Sequence, residues 1–207
     1  MRDAAVLTGD LIGSRKAGRQ ATDHAIEAIA DTAKMMTAPF ARHRGDGWQG
    51  LLTQPELALR FALLVTARLR SLKVPLSRFS VGIDEIATER AQSLAAEAGN
   101  AFVVSGEVLD DMPKRSVFGI ASMTRKLNEM TWAAARLTDQ VARKWTPQQG
   151  EAMVLALAFS EPSGVSIAKS LGISPAAASY RLQGANWWDI KAVVSAFERE
   201  LGAPPHD

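Results

Sequence analysis

The chain has no cysteine, which excludes disulfide bonds, thiolate zinc sites and cysteine nucleophiles. Its three histidines, His24, His43 and His206, are widely separated and argue against a three-histidine metal centre. No apolar run approaches the ~20 residues that a helix needs to span a bilayer. Near the start, Asp10 and Gly13 interrupt the apolar stretch too early for a signal peptide. These absences predict a protein that has no membrane association and works in the cytoplasm.

The 207 residues are 47% hydrophobic and 22% charged, which is an ordinary composition for a folded protein of one large or two small domains. The formal net charge is only +2, but the basic residues are concentrated in one segment. Residues 113–145 contain seven basic and two acidic residues, whereas 1–112 and 146–207 each contain more acidic than basic residues. The basic segment is either a contact surface for a polyanion or a solvated helix face.

Strand and helix patterns alternate along the first part of the chain in the order β-α-β-β-α-β-α-β. A Gly-Asp-Gly turn at 45–47 predicts a β-hairpin in the middle of this series. The order predicts an α+β sandwich of the ferredoxin-like type over 1–121, followed by a linker at 122–145. The strands are predicted at 4–8, 40–44, 48–52, 78–86 and 116–121. The helices are predicted at 17–36, 55–72, 100–109 and 123–144, with 88–98 helical or irregular.

Residues 146–207 show helical patterns only, and 166–182 resemble a helix-turn-helix. Ala168 is small enough for a close helix crossing, Gly172 permits a left-handed turn, and Ser174 caps the helix that follows. Because such a helix can reach base edges in the major groove, we predict that a homodimer binds double-stranded DNA through the outward residues Ser174, Ala176, Ala177, Ser179, Tyr180 and Arg181. Phosphate contacts would come from the preceding basic helix, through Arg125, Lys126, Arg136, Arg143 and Lys144. The alternative is a helical domain that only packs or dimerises.

Two aspartates stand at turns that a ferredoxin-like fold brings together. Asp10 directly follows the first strand, and Asp46 lies in the turn of the central hairpin. Two carboxylates in this arrangement are typical ligands of Mg²⁺ or Mn²⁺ in a site that binds phosphate oxygens, and Arg15 is the candidate for direct contact with a phosphate. The alternative is that both aspartates are ordinary turn residues. Asp84 and Glu85, farther along, are predicted to lie at a solvated strand end, and the alternative is that one of them is a third metal ligand.

Three segments resemble the SatD family in sequence, order and spacing. They are TGDLIGSR at 8–15, RGDGWQGLL at 44–52 and FSVGIDEI at 79–86. The tetrapeptide Gly-Asn-Ala-Phe at 99–102 and the helix-turn-helix also fit this family. The resemblance therefore covers nearly the whole chain, and it rests on the order of the motifs more than on any one of them.

The amino-terminal part is more distantly similar to class III nucleotide cyclases and the palm domains of their relatives. This resemblance implies a cyclase-like domain in which Asp10 and Asp46 bind two metal ions beside a purine nucleotide. It also implies that the backbone of Leu11, Ile12, Gly13 and Ser14 approaches the nucleotide phosphates. Arg15, from its position, and the turn glycines Gly45 and Gly47, which leave room for a ligand, complete the predicted nucleotide contacts. The cyclases use an asparagine and an arginine on one helix turn to stabilise the transition state, whereas 100–109 contains no arginine or lysine.

The sequence thus predicts a DNA-binding regulatory protein with a nucleotide- or metal-sensing, cyclase-like domain that is not an active cyclase. One alternative is a Mg²⁺- or Mn²⁺-dependent nucleotidyl cyclase, nucleotidyltransferase or phosphohydrolase that uses Asp10 and Asp46. Another is a structural or partner-binding protein that kept the fold and lost the site.

Overall fold

Strands and helices alternate up to residue 121, and the described elements after it are all helices. The computed structural model of the protein describes residues 2–43, 45–86, 94, 99–113, 116–124, 128–158 and 162–202. The strands within these ranges are β1 (Arg2–Leu11), β2 (Phe40–Arg42), β3 (Trp48–Leu52), β4 (Ser77–Ile86) and β5 (Phe118–Ala121). The helices are α1 (Ser14–Ala17), α2 (Arg19–Met35), α3 (Ala58–Leu72, after a 3-10 turn at Pro55–Leu57), α4 (Asn100–Asp111), α5 (Glu129–Ala142), α6 (Pro147–Ala156), α7 (Gly164–Leu171), α8 (Pro175–Gly184) and α9 (Trp187–Gly202). This described part of the chain contains no helix with the length and apolar character of a membrane span.

The described strands form one mixed sheet in the order β2-β3-β1-β4-β5. Strand β1 runs antiparallel to both β3 and β4, β2 is antiparallel to β3, and β5 is parallel to β4. Near the end of β1, Gly9 lies opposite Trp48 of β3, and Asp10 lies opposite Arg78 of β4. This sheet, together with the helices, confirms the α+β class predicted from the sequence.

The sheet is packed on both faces, because successive side chains of a strand point to opposite sides. Leu7 of β1 is buried in the main core with residues of α2 and α3. Val6, its neighbour, is buried on the other face with residues of α4. Helix α4 lies so close to the sheet that a Cβ atom on Gly82 would be 2.3 Å from the carbonyl oxygen of Ala101. The sheet is therefore sandwiched between α2 and α3 on one face and α4 on the other.

The helix predicted at 17–36 corresponds to α2, and a separate short helix, α1, precedes it. Helix α1 begins at Ser14 and α2 begins at Arg19, and the residue between them, Gly18, has a φ angle of 83°. Glycine adopts this backbone conformation without steric cost, so the chain can change direction there. Helical structure therefore starts earlier than predicted and is interrupted once. The prediction for 88–98 falls almost entirely outside the described residues.

The long helix predicted after the last strand starts later than expected, at Glu129, with the Asn128 side chain as its cap. Before it, the backbone amides of Met123 and Thr124 donate hydrogen bonds to the Asp84 carboxylate. Asp84 is 1% exposed, so the prediction of a solvated strand end is wrong for this residue. A buried carboxylate needs hydrogen-bond donors, and the chain after β5 supplies them as a loop instead of a helix.

The carboxyl-terminal helices share the main core with the sheet. Phe61 of α3 and Phe197 of α9 belong to one buried hydrophobic cluster. The Arg60 guanidinium on α3 donates to both carboxylate oxygens of Glu198 on α9 and to the carbonyl oxygen of Leu157. The domain boundaries predicted at 121 and 145 stay a prediction, and these contacts join the chain on either side of them.

Helices α3 and α6 cross closely at a glycine. A Cβ atom on Gly150 of α6 would lie 2.7 Å from the carbonyl oxygen of Ala67 and 2.9 Å from the backbone nitrogen of Ser71. Both atoms belong to the backbone of α3, so neither can move without displacing the helix. The closeness of this crossing therefore depends on the missing side chain.

We expect Gly150→Ala to lower the free energy of unfolding by about 1–3 kcal/mol, because the added methyl group overpacks the α3–α6 crossing. Gly106→Ala is the matched control, since Gly106 also lies inside a helix and a Cβ atom there meets nothing within 4 Å. This control should be neutral or stabilising by up to about 1 kcal/mol through helix propensity. Urea unfolding followed by circular dichroism measures both variants, and equal effects would contradict the close crossing.

Candidate functional site

A cleft of about 1060 Å³ opens where the end of β1, helix α1, the start of α2 and the turn between β2 and β3 meet. Most of the side chains that line it are polar or charged, which suits a hydrophilic ligand. The lining residues are Asp10, Ser14, Arg15, Gly18, Arg19, Thr22, Asp23, Glu27, Arg42, Gly45 and Asp46.

The structure brings five of the predicted site residues together in this cleft, namely Asp10, Ser14, Arg15, Gly45 and Asp46. The other four predicted nucleotide contacts are not among its lining residues. Leu11 is 4% exposed and packs in the main core, because it lies on the core-facing side of β1. Ile12 and Gly13 are exposed, and Gly47 is half-buried in the hairpin.

The carboxylate of Asp10 is held by an arginine of the neighbouring strand. Arg78 stands directly opposite Asp10, and its Nε and Nη2 atoms lie 3.2 and 3.0 Å from Oδ1 and Oδ2. The hydrogen bond to Asp10 raises the pKa of the Arg78 guanidinium above its ordinary value. Both carboxylate oxygens of Asp10 therefore accept hydrogen bonds from a permanently charged group.

The second predicted aspartate, Asp46, is positioned by contacts that tie the hairpin turn to the helices. The Ser14 hydroxyl donates a hydrogen bond to Oδ2 of Asp46. Arg42 donates through Nε and Nη2 to the Gly45 carbonyl oxygen, and its Nη2 atom lies 2.8 Å from Oδ1 of Asp23 on α2. These contacts hold the three walls of the cleft together.

The cleft residues do not fit the two-metal site that the resemblance to the cyclases implies. Mg²⁺ requires a nearly octahedral set of oxygen ligands, but both carboxylate oxygens of Asp10 face the cationic Arg78. One oxygen of Asp46 is already the acceptor for Ser14. Within the ranges that the structure describes, no three His, Cys, Asp or Glu side chains are grouped to hold a metal ion.

The side chains of two arginines of the cleft, Arg15 on α1 and Arg19 on α2, make no hydrogen bond or ion pair with another described residue. Both are exposed and available to an anionic ligand. The sequence-based prediction missed Arg19, Asp23 and Glu27, although their spacing of four residues places them on one helix face. It could not find Arg78, because only the pairing of β1 with β4 places that residue opposite Asp10.

The predicted helix-turn-helix consists of α7, a turn at Gly172 and α8. Gly172 has a φ angle of 63°, and the amide of Ile173 donates to the carbonyl oxygen of Ala168. The Ser174 hydroxyl accepts a hydrogen bond from the Ala177 amide and so caps α8. Of the predicted DNA contacts, four are exposed and two half-buried; the exposed ones are Ser174, Ala176, Ser179 and Tyr180, and the half-buried ones are Ala177 and Arg181.

The basic residue of α8 is already paired within the protein. Arg181 is the only lysine or arginine in the sequence of this helix, and its Nη1 atom lies 2.8 Å from Oε2 of Glu151 on α6. Any contact of Arg181 with a DNA phosphate would have to replace or share this ion pair. The exposed part of α8 is otherwise uncharged, with Tyr180 74% exposed.

The predicted phosphate contacts on the basic helix need one correction. Arg143 is 9% exposed, because it donates to the Asp139 carboxylate and to the carbonyl oxygens of Ser77 and Val117. Burial raises the pKa of Asp139 despite this partner. Arg143 therefore fastens α5 to the sheet and is not placed to contact DNA.

Of the other basic residues predicted to contact phosphate, Lys144 is exposed. The Arg136 guanidinium lies over the Trp132 ring, 4.7 Å from its centroid. Arg125 and Lys126 lie outside the described residues. Lys144 and Arg136 are therefore the described members of this set that an external phosphate could reach.

A scan against protein-family models and a search of curated proteins both give no match to this chain. The resemblance to the SatD family therefore stays a prediction from the sequence.

A double-mutant cycle with Asp10→Asn and Arg78→Met should give a coupling energy of up to about 1 kcal/mol, because both side chains are partly exposed. Their exposed fractions are 37% and 25%. The Arg42–Asp23 pair is a suitable comparison and should give a smaller coupling, since its exposed fractions are 40% and 39%. Urea unfolding of the single and double variants measures both couplings. Additive effects of Asp10→Asn and Arg78→Met would mean that the two residues do not interact.

Proposed function

We propose that the protein is a cytoplasmic DNA-binding regulator in which the cleft binds a nucleotide and α8 enters the major groove of DNA. The observation that carries this proposal is the arrangement of α7 and α8, which leaves the first turn of α8 uncovered. Ser174 and Ala176 are exposed in that turn, and Ser179 and Tyr180 are exposed farther along the helix. A recognition helix reads base edges with side chains in these positions.

The strand order supports a ferredoxin-like, cyclase-like fold for the amino-terminal part. The order β2-β3-β1-β4, with all three pairings antiparallel, is consistent with a β-α-β-β-α-β unit. Its two helices, α2 and α3, both contribute to the core on the same face of the sheet. Helix α4 and strand β5 then extend this unit on the other side of β4.

A continuous set of packed helices supports communication between the cleft and α8. Helix α2 lines the cleft and packs against α3, α3 packs against α6, and α6 packs against both α7 and α8. A ligand can change DNA affinity only if it binds two arrangements of these helices with different affinity. A homodimer would place two copies of α8 on successive half-sites of the same face of DNA.

The alternative of a metal-dependent cyclase, nucleotidyltransferase or phosphohydrolase is less well supported. The position of Asp10 and Asp46 in one cleft favours it. The pairing of Asp10 with Arg78 disfavours it, because the carboxylate would have to exchange a fixed guanidinium for a metal ion. A nucleotide-sensing regulator does not require a metal ion to replace Arg78 at Asp10, and we therefore propose the sensor function.

The test of DNA binding is fluorescence anisotropy with a labelled random-sequence duplex of about 30 base pairs at about 50 mM salt. We expect binding that weakens with added salt, and Tyr180→Ala should raise the Kd about 5–10-fold, a loss of about 1 kcal/mol. Met35→Ala is the control, because Met35 is also a large exposed apolar side chain but lies on α2. Unchanged affinity of Tyr180→Ala would exclude α8 as the contact, and failure of the wild type to bind would exclude the function.

Glu151→Gln should strengthen DNA binding, because it removes the carboxylate that competes with phosphate for Arg181. We expect the Kd to fall about 3–10-fold at low salt, with a salt dependence steeper by roughly one phosphate contact. Glu107→Gln on α4 is the control for the loss of one negative charge, since Glu107 is exposed on a different helix. The same change in both variants would show a general charge effect and no specific competition at Arg181.

A further inference from the structure

We infer that the cleft binds a ligand with a single phosphate group, such as a nucleoside monophosphate, and that it does so without a divalent metal ion. The inference rests on the proposed nucleotide-binding function and specifies its ligand class. Three features of the cleft carry it: the cation that already occupies Asp10, the balance of the remaining charges, and the distribution of acceptors.

Arg78 occupies the place that a metal ion would need at Asp10. The two residues are opposite each other in the β1–β4 pair, so the backbone fixes the relative position of their Cα atoms. Both guanidinium contacts, at 3.2 and 3.0 Å, use different carboxylate oxygens. A divalent ion bound there would lie beside a positive charge that cannot be deprotonated. The site therefore has its own organic cation where a cyclase-like site would use a metal.

The arginines of the cleft that have no acidic partner in the described part of the chain match the charge of one phosphate group, and Glu27 and Asp46 add two further carboxylates to the lining. Asp10 is paired with Arg78, and Asp23 is paired with Arg42. Among the lining residues, Arg15 and Arg19 are left without an acidic partner in the described part of the chain. Two guanidinium groups suit the charge of about −2 on a phosphomonoester at neutral pH. A triphosphate carries about twice that charge and needs the metal ion that this cleft does not accommodate.

The start of α2 adds to the positive side of the cleft. Gly18 and Arg19 both line it, and the first amides of a helix carry a partial positive charge that favours an anion. Helix α2 is 17 residues long, so the partial positive charge at its start is that of a full helix and not of a single turn. The two arginine side chains are the principal contacts to the phosphate group, and the amide groups at the start of α2 add to them.

Two further carboxylates of the cleft, those of Asp46 and Glu27, indicate what the rest of the ligand contains. Asp46 accepts one hydrogen bond from Ser14 at Oδ2, and a carboxylate has capacity for more. Glu27 also lines the cleft. Carboxylates attract hydroxyl and amino groups, which a nucleoside supplies through its ribose and its base. The volume of about 1060 Å³ is sufficient for a ligand of this size.

The experiment is calorimetric titration of the full chain with GMP, AMP and GTP, each in EDTA and again in Mg²⁺. We expect a monophosphate to bind with the same Kd in both conditions and more tightly than GTP. The double substitution Arg15→Gln and Arg19→Gln should weaken this binding by at least about tenfold. The matched control is Lys16→Gln with Lys34→Gln, which removes two exposed charges of α1 and α2 outside the cleft lining and should leave the Kd unchanged. Melting temperatures establish that each variant is folded.

Each result separates the inference from the proposed function. Nucleotide binding that requires Mg²⁺, or tighter binding of GTP in Mg²⁺ than of either monophosphate, would overturn the inference and leave the nucleotide-sensing function standing. The same conclusion would follow if Mn²⁺ titrated alone bound the wild type but not Asp10→Asn. Equal affinity of the double arginine variant and the wild type would also overturn the inference. Absence of binding for all three nucleotides in both conditions would overturn the nucleotide-sensing function together with it.

Discussion

Strand β1 forms hydrogen bonds to β3 on one side and β4 on the other, and this register decides what lies at the end of the strand. Asp10 is placed opposite Arg78, while Gly9 is placed opposite Trp48 at the start of β3, next to the hairpin turn that carries Asp46. A shift of one residue would move Leu7 out of the main core, because side chains alternate between the faces. Burial of the apolar side chains therefore fixes the charged pair as well.

Helix α3 connects the sheet with the carboxyl-terminal helices. Its side chains are buried on nearly all sides, including Phe61 and Leu64 in the main core, which is typical of a helix between two layers. On the side of α6 it accepts a close crossing at Gly150. The Nε and Nη2 atoms of Arg60 donate hydrogen bonds to the Glu198 carboxylate, and its Nη1 atom donates to the Leu157 carbonyl oxygen. A displacement of α2 at the cleft would thus reach the helix-turn-helix through α3 and then α6, which packs against α7 and α8.

Several charged residues that the sequence offers as ligand contacts are engaged by the protein itself. Asp10 is paired with Arg78, Arg181 with Glu151, and Arg143 is buried against the sheet. A charge that is partly or fully removed from water is costly without a partner, so folding pairs such groups where the chain allows it. The charges left for an external ligand are consequently fewer than the composition indicates. In the cleft they are Arg15, Arg19, Glu27 and Asp46, so a ligand would need both an anionic group and hydrogen-bond donors.

Local patterns in the sequence were sufficient for most elements of the fold. Alternation of apolar residues identifies β4, proline after a capping threonine identifies α6 at Pro147, and Gly172 identifies the turn between α7 and α8, because each signal lies within a few neighbouring residues. The predicted helix start at residue 123 and the predicted solvation of Asp84 both failed, because the buried Asp84 carboxylate takes its donors from the loop after β5. The sequence also identified Asp10, Ser14, Arg15, Gly45 and Asp46 as candidates for one site.

Only the tertiary structure decided how those candidates are used. The partner of Asp10 is 68 residues away in the chain, and no local pattern specifies it. The partner of Arg181 is 30 residues away on another helix. Periodicity determines which face of an element is buried, but the register between elements determines which charges meet. For this protein the sequence by itself determined the elements and the position of the cleft, and the pairing of charges across strands and helices decided which groups remain for a ligand.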